Sequence, residues 1–256
     1  MFDRSLKKRQ KVDHLRKLVG DIGGRRCLLI TNGDNTGAMN VRFRELGGEW
    51  TWVENESDHL NEMEELLGET VRRGSPSSIP AEDASQDAVI SIDVHEHLED
   101  CRPFNQELFR VVRPGGLVVV STPNGNPRKP VTMLKNLIGM TKQHYGHQVI
   151  GYTIVEHEAM LREVGLEPIR SGSYSRFFTE TIELAINFAY VKVLGRKAGA
   201  KAGTIAPTSN AQMRSVGAQY RLYTLAFPVL HALSRLDRLL SFTTGYAVSV
   251  AAQRPE

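Results

Sequence analysis

Seven residues, Thr31-Asn32-Gly33-Asp34-Asn35-Thr36-Gly37, lead from the last position of the apolar run "RCLLIT" to a helical pattern, and two of them are glycines four positions apart. Glycine at a strand end lets the backbone turn sharply and approach a ligand, and the amides of a following helix N-terminus suit a polar or anionic group. Glu54 closes the next strand-like run, "EWTWVE", where a carboxylate can accept hydrogen bonds from both hydroxyls of a ribose. Either feature alone is ordinary turn or surface chemistry; together they describe a site shaped for a nucleoside. His95 and His97 follow the run "DAVISIDV", and His144, Tyr145 and His147 form a second cluster. A histidine titrates near neutrality and can take a proton from a hydroxyl; packing or hydrogen bonding is the competing reading for each.

The elements that must position these residues are legible as periodicity. Residues 5–19 place Leu6, Val12, Leu15, Leu18 and Val19 among basic residues and end at Gly20, an amphipathic helix that is expected to pack across the domain. From residue 27 to 124 the patterns alternate as β-α-β-α-β-β-α-β, with "RPGG" turning the chain into the last of these strands. "DAVISIDV" and "LVVVSTPN" are apolar on both faces, like central strands of a parallel sheet. That order predicts a doubly wound α/β sheet, whose ligands sit outside the carboxyl ends of the strands. The loops to inspect are therefore those holding Gly33 and Gly37, Glu54, Ser75, Asp93 to His97, and Asn124.

The stretch 79–124 is more specific. Ile79-Pro80, Gln86-Asp87, Glu96-His97-Leu98, Arg110 to Gly116 and Thr122-Pro123-Asn124 arrive in order, and the series resembles class I S-adenosylmethionine-dependent methyltransferases of the small-molecule and lipid type. "HQVIGYTIVEHEAMLREVGLEPI" resembles that family's continuation, and "GYAVSVAAQ" its last strand; the likeness covers about residues 25–176 and this terminal segment. It implies a mostly parallel seven-stranded sheet with a helical insertion before the last strand, and S-adenosylmethionine as cofactor. Carried over by position, it assigns cofactor binding to Thr31, Asn32, Gly33, Asp34, Asn35, Gly37, Glu54, Ser75 and Asp93, catalysis to His95 and His97, and substrate contact to Asn124, Tyr145 and His147. The family pattern at the loop is Asp-x-Gly-x-Gly-x-Gly, so Thr31 stands where a carboxylate is usual and Asn35 where a glycine is. Asn tolerates a positive φ better than most residues, and Asp34 is a nearby replacement charge.

With 256 residues, 41% of them hydrophobic, the chain is sized for one methyltransferase domain, 1–256, carrying an N-terminal amphipathic helix in 1–24 and a helical insertion in 177–240. Two cysteines, Cys27 and Cys101, are too few for a disulfide framework and lack metal-ligand spacing, so both read as small hydrophobes and no metal is expected. No secretory signal pattern and no spanning apolar run is present, and the protein is expected in the cytoplasm, at the inner face of the cell membrane if it touches one. The net charge of +3 is uneven: residues 1–26 carry +6, residues 27–191 carry −10 and residues 192–256 carry +7. Basic ends suit phosphate or a membrane surface, or merely solubility; aromatics do not interleave with them, which argues against nucleic acid.

Within the insertion, Glu180, Glu183 and Asn187 form one polar stripe, and an Ala/Gly/Ser-rich stretch then leads to "YRLYTLAFPVLHALSRLDRLL". There Arg221, Thr224, Pro228, His231, Arg235 and Arg238 make a narrow, mostly basic stripe, with Pro228 expected to kink the helix or start a second one. The wide apolar face fits core packing, a lid for a lipid acceptor with peripheral membrane contact, or a homodimer interface. The expected activity is methyl transfer to an oxygen of a lipid-linked or glycan intermediate. The alternatives are a methyltransferase-like binding or scaffold protein that has lost cofactor affinity, and a nucleotide-sugar or dinucleotide oxidoreductase, which fits the sheet but not "RPGG" with "STPN".

Overall fold

Successive side chains of a strand point to opposite faces, and in β1 (Arg26–Thr31) Cys27 and Leu29 enter one buried cluster while Leu28 and Ile30 enter another. Two helical layers follow from that alternation. In this computed structural model, which describes residues 4–33, 36–56, 60–189 and 217–256, the first layer contains α1 (Leu6–Val19), α2 (Ala38–Arg44) and α3 (Leu60–Leu67). Their Val12, Leu15, Phe43 and Met63 pack with Leu29, Ile90 and Val119. The second layer contains α4 (Arg102–Val111) and, beyond the short α5 (Pro130–Leu137), α6 (Ile154–Arg162). Phe104, Leu108 and Leu161 of this layer pack with Leu28, Val89 and Val120.

The sheet has seven strands in the order β3-β2-β1-β4-β5-β7-β6. Besides β1 these are β2 (Glu49–Glu54), β3 (Val71–Arg73), β4 (Gln86–Ile92), β5 (Val112–Pro123), β6 (Glu167–Tyr174) and β7 (Ala247–Gln253). Strands β1 to β5 pair in parallel, and β7 is antiparallel to both β5 and β6. The expected mostly parallel seven-stranded sheet is therefore observed, with "GYAVSVAAQ" supplying the last strand. One boundary differs: "RPGG" lies inside β5 instead of forming a turn before it. The Gly115 amide donates to Arg254 O and Gly116 O accepts from the Arg254 amide, just past β7, while the pairing of β4 with β5 breaks register between Gln86 and Ala88.

Helix ends carry the expected chemistry. Ser5 caps α1 by accepting from the Lys8 amide, and Gly20 ends it at φ +74°. Thr153 and Glu156 form a reciprocal capping box on α6. Between β6 and β7 lie α7 (Phe177–Ala189), α8 (Gly217–Ser234) and a 3-10 turn, Arg235–Leu240. Asp237 fastens that turn to α7 by accepting from the amides of Arg176, Phe178 and Thr179. Three amides at a helix start have no partner within the helix, so one carboxylate there also complements the positive end of the helix dipole.

Helix α8 runs unbroken through Pro228, so no second helix starts there. Proline's missing N–H is tolerated there at the cost of a bond to the Thr224 carbonyl. Asp34, Asn35 and the Ala/Gly/Ser-rich stretch of the insertion lie outside the described residues.

Candidate functional site

At the carboxyl edge of the sheet the parallel register sets Thr31 directly beside Glu54. Thr31 Oγ1 donates to Glu54 Oε2 at 2.6 Å, while the amides of Gly33 and Glu56 donate to Oε1 at 2.7 and 3.0 Å. Glu54 is almost fully buried, and that burial pushes its carboxyl above the usual range despite the bonds from Thr31 and the two amides. Gly33 (φ +75°) and Gly37 (φ +84°) occupy the left-handed region. Any Cβ on Gly33 would run into the Glu56 carboxylate at 2.5 Å, and Asn32 Nδ2 donates to that same carboxylate at 3.2 Å. Sequence patterning does not single out Glu56; its place two residues beyond a strand-end Glu is the available signal. Ser75 sits half-buried in the turn after β3, bonded through its backbone to Ser78.

Beyond β4 the edge is charged. Asp93 takes φ +53° and pairs with Lys11 of α1. Burial opposes ionisation of Asp93, but the charge and hydrogen bond of Lys11 outweigh it and hold the carboxyl below its usual range. Lys7, one turn earlier, reaches Glu180 of α7 at 3.0 Å, and Lys135 of α5 pairs with the same carboxylate. The Lys7 amide also donates to Glu183 at 3.2 Å. The polar stripe of α7 thus faces α1 and α5, not solvent. Lys7 and Lys11 continue, at four-residue steps, the row that includes Leu15; that spacing is the sequence signal that they point inward.

The histidines separate. His95 is fully buried, bonded through Nε2 to Asn105 Oδ1 at 2.8 Å and packed edge-on against Phe104 and His157. Burial lowers its pKa to about 4. It packs between α4 and α6, with no face of the ring open to solvent. His97 and His147 come together, with ring centroids 4.8 Å apart, and Tyr145 lies 5.7 Å from His147. Burial, then the neighbouring His97, lowers the His147 pKa to about 3; burial pushes the Tyr145 phenol up to about 12. The side chain of His144 is outside the described set. Asn124 is bonded within the fold: its Nδ2 donates to Gly245 O and its Oδ1 accepts from the Asn126 amide, stitching β5 to the approach of β7. The nearby backbone is equally committed, since a Cβ on Gly151 would meet Pro123 O at 2.0 Å.

A separate cavity of about 640 Å³ lies between α1 and the insertion. Arg9, Lys17, Arg176, Arg235 and Arg238 line it, against Asp13 and Asp237. The basic stripe of the insertion therefore opens in part onto a cleft, through His231, Arg235 and Arg238. On another side of the insertion, Leu222, Leu225, Val229, Leu233 and Leu236 form an exposed row, with Leu225 at 78% exposure, and Leu239 and Phe242 extend it. Core packing does not account for that row.

The strand order, with its antiparallel seventh strand, defines the α/β fold of class I, Rossmann-like methyltransferases. Residues 32–120 match the family model described as a methyltransferase domain. A probable S-adenosylmethionine-dependent methyltransferase of Mycolicibacterium smegmatis is 50% identical over 54 residues, which are 21% of this chain and 21% of that protein, so the match spans about a fifth of that relative's length. Among solved structures, the YcgJ protein of Bacillus subtilis gives a TM-score of 0.57 at 12% identity, over 97% of this chain and 99% of that one. Phosphoethanolamine N-methyltransferase 2 of Haemonchus contortus, solved with S-adenosyl-L-methionine, gives 0.59 at 17% identity, over 97% of this chain and 53% of that one. The fold is thus that of class I methyltransferases, and residues 32–120 are similar to a methyltransferase domain.

Proposed function

We propose that this chain moves the methyl group of S-adenosylmethionine to an oxygen of a lipid-linked or glycan intermediate. The observation that carries the cofactor half is Glu54, held at the end of β2 beside the Thr31–Gly37 turn. Glu54 takes the ribose hydroxyls; Thr31, Asn32, Gly33, Asp34, Asn35 and Gly37 wrap the rest of the nucleoside, with Ser75 toward the base and Asp93 toward the sulfonium. Methyl transfer breaks the S–CH3 bond as the O–CH3 bond forms, and it needs alignment and an exit for the hydroxyl proton. His97, His147 and Tyr145 supply the acceptor end. The exposed apolar row on α8 and the basic cleft beside it support a lipid acceptor with an anionic head, met by a chain working at the inner face of the cell membrane. Residues 1–256 act here as one domain, in which Lys11 and Lys7 tie α1 to Asp93 and to α7.

One observation favours a binding or scaffold protein instead: both Glu54 oxygens are already taken by Thr31, Gly33 and Glu56. Titration calorimetry with S-adenosylmethionine and S-adenosylhomocysteine separates the two. The enzyme gives saturable heat with both; absence of heat or thermal shift at millimolar ligand leaves only the scaffold.

A further inference from the structure

Three side chains outside the cofactor loop converge on one point. Glu96, His97 and His147 each offer one ligand atom, and these atoms all lie within 4.8 Å of one another. Glu96 is 1% exposed, and its Oε2 has no hydrogen-bond partner among the described residues. A buried carboxylate oxygen in that state calls for a proton or a cation.

The surroundings hold the three in place. His97 Nδ1 lies 3.1 Å from the Gly146 carbonyl, which can only accept, so in the neutral ring the proton sits on Nδ1 and the Nε2 lone pair is available. The amides of Gln148 and Val149 both donate to Glu96 O, and the His147 amide donates to Lys142 O. The loop carrying His147 is thereby fastened to the turn carrying Glu96 and His97, although the two histidines are 50 positions apart in sequence. Their rings stand nearly perpendicular, at 79°. Backbone bonds that orient a ligating imidazole are what metal sites use around the ligands themselves.

We propose that Glu96, His97 and His147 bind a divalent cation of the zinc type at the acceptor end of the site. Two imidazole nitrogens and one carboxylate oxygen suit zinc and related first-row ions better than calcium or magnesium. Three protein ligands leave a further position open. Resting on the methyl-transfer reading, that position would take the acceptor oxygen and ease loss of its proton to solvent before the methyl group arrives. The sequence expectation of no metal rests on local cysteine spacing; these ligands become neighbours only when the loop of His147 folds over the turn after β4.

The test uses the full chain, stripped with a chelator and given no S-adenosylmethionine, so that its result is independent of methyl transfer. Zinc is titrated in competition with a chromophoric chelator, and cobalt(II) is followed by its visible absorption. One zinc per chain is expected, with a cobalt spectrum of low coordination number, and His147→Ala, His97→Ala and Glu96→Gln should each weaken binding at least roughly tenfold. Glu96→Gln keeps the side-chain shape and serves if an alanine variant fails to fold. Absence of stoichiometric zinc binding by the unaltered chain, or unchanged affinity in all three variants, overturns the proposal. A chain that binds zinc but not S-adenosylmethionine keeps this site and removes the methyl-transfer reading.

Discussion

Thr31 looks like a loss when set against a family that carries a carboxylate there, yet its hydroxyl is the donor that Glu54 Oε2 receives at 2.6 Å. An Asp at that position would set two carboxylates at hydrogen-bond distance. Thr31→Asp is therefore expected to destabilise the chain by roughly 1–3 kcal/mol at pH 8, and less at pH 5, where one proton can be shared between the two groups. Urea unfolding at the two pH values checks this, and equal losses at both would show that the two carboxylates do not interact. Glu54 is legible in the sequence because a strand-end carboxylate has a defined place. Lys7 and Lys11 are signalled only by their four-residue spacing from Leu15, and the exposed Glu56 only by its place two residues past Glu54, because a charged residue in a sequence otherwise reads as solvated.

Helices α1, α5 and α7 meet at one carboxylate. Burial disfavours the charged form of Glu180, but Lys135 and Lys7 reverse that and hold its pKa at about 2, well below the usual carboxylate range. A folded-state pKa below the unfolded one gives stability that is present above the unfolded value and is lost as pH falls toward the folded value. The shift corresponds to roughly 3 kcal/mol at most, opposed in part by Glu183, whose carboxyl burial pushes up. Unfolding free energy should thus fall between pH 5 and pH 3 more steeply in the unaltered chain than in Glu180→Gln. A matching slope in the variant would show that the three-helix junction does not depend on this charge. The helix pattern of α7 reveals the polar stripe but not its direction: an apolar-rich helix with one polar stripe can turn either face inward, and the lysines of α1 and α5 decide.

For the whole molecule, the alternation of patterns from residue 27 to 124 is enough to foresee the sheet, since both-face apolar strands and interleaved helices admit few other layouts. The insertion is harder, because its periodicity alone fits more than one partner. Among the described residues, no helix is long and apolar enough to cross a membrane. The exposed row Leu222, Leu225, Val229 with Leu239 is instead expected to bind vesicles containing anionic lipid, more weakly at high salt. Leu225→Asp with Leu239→Asp should abolish co-sedimentation while leaving the unfolding midpoint nearly unchanged. If the pair instead leaves vesicle binding intact and halves the mass seen by light scattering, the row joins two copies.

Strand β7 lies between β5 and β6, so the sheet's interior waits on a segment that follows the whole insertion. On a growing chain, β5 and β6 are made long before the strand that joins them, and each presents an open edge until residues 247–253 arrive. Order of synthesis and order of assembly are thereby set against each other: the half of the sheet that holds Glu54 can form early, while β6 joins the sheet only when the last strand closes the gap.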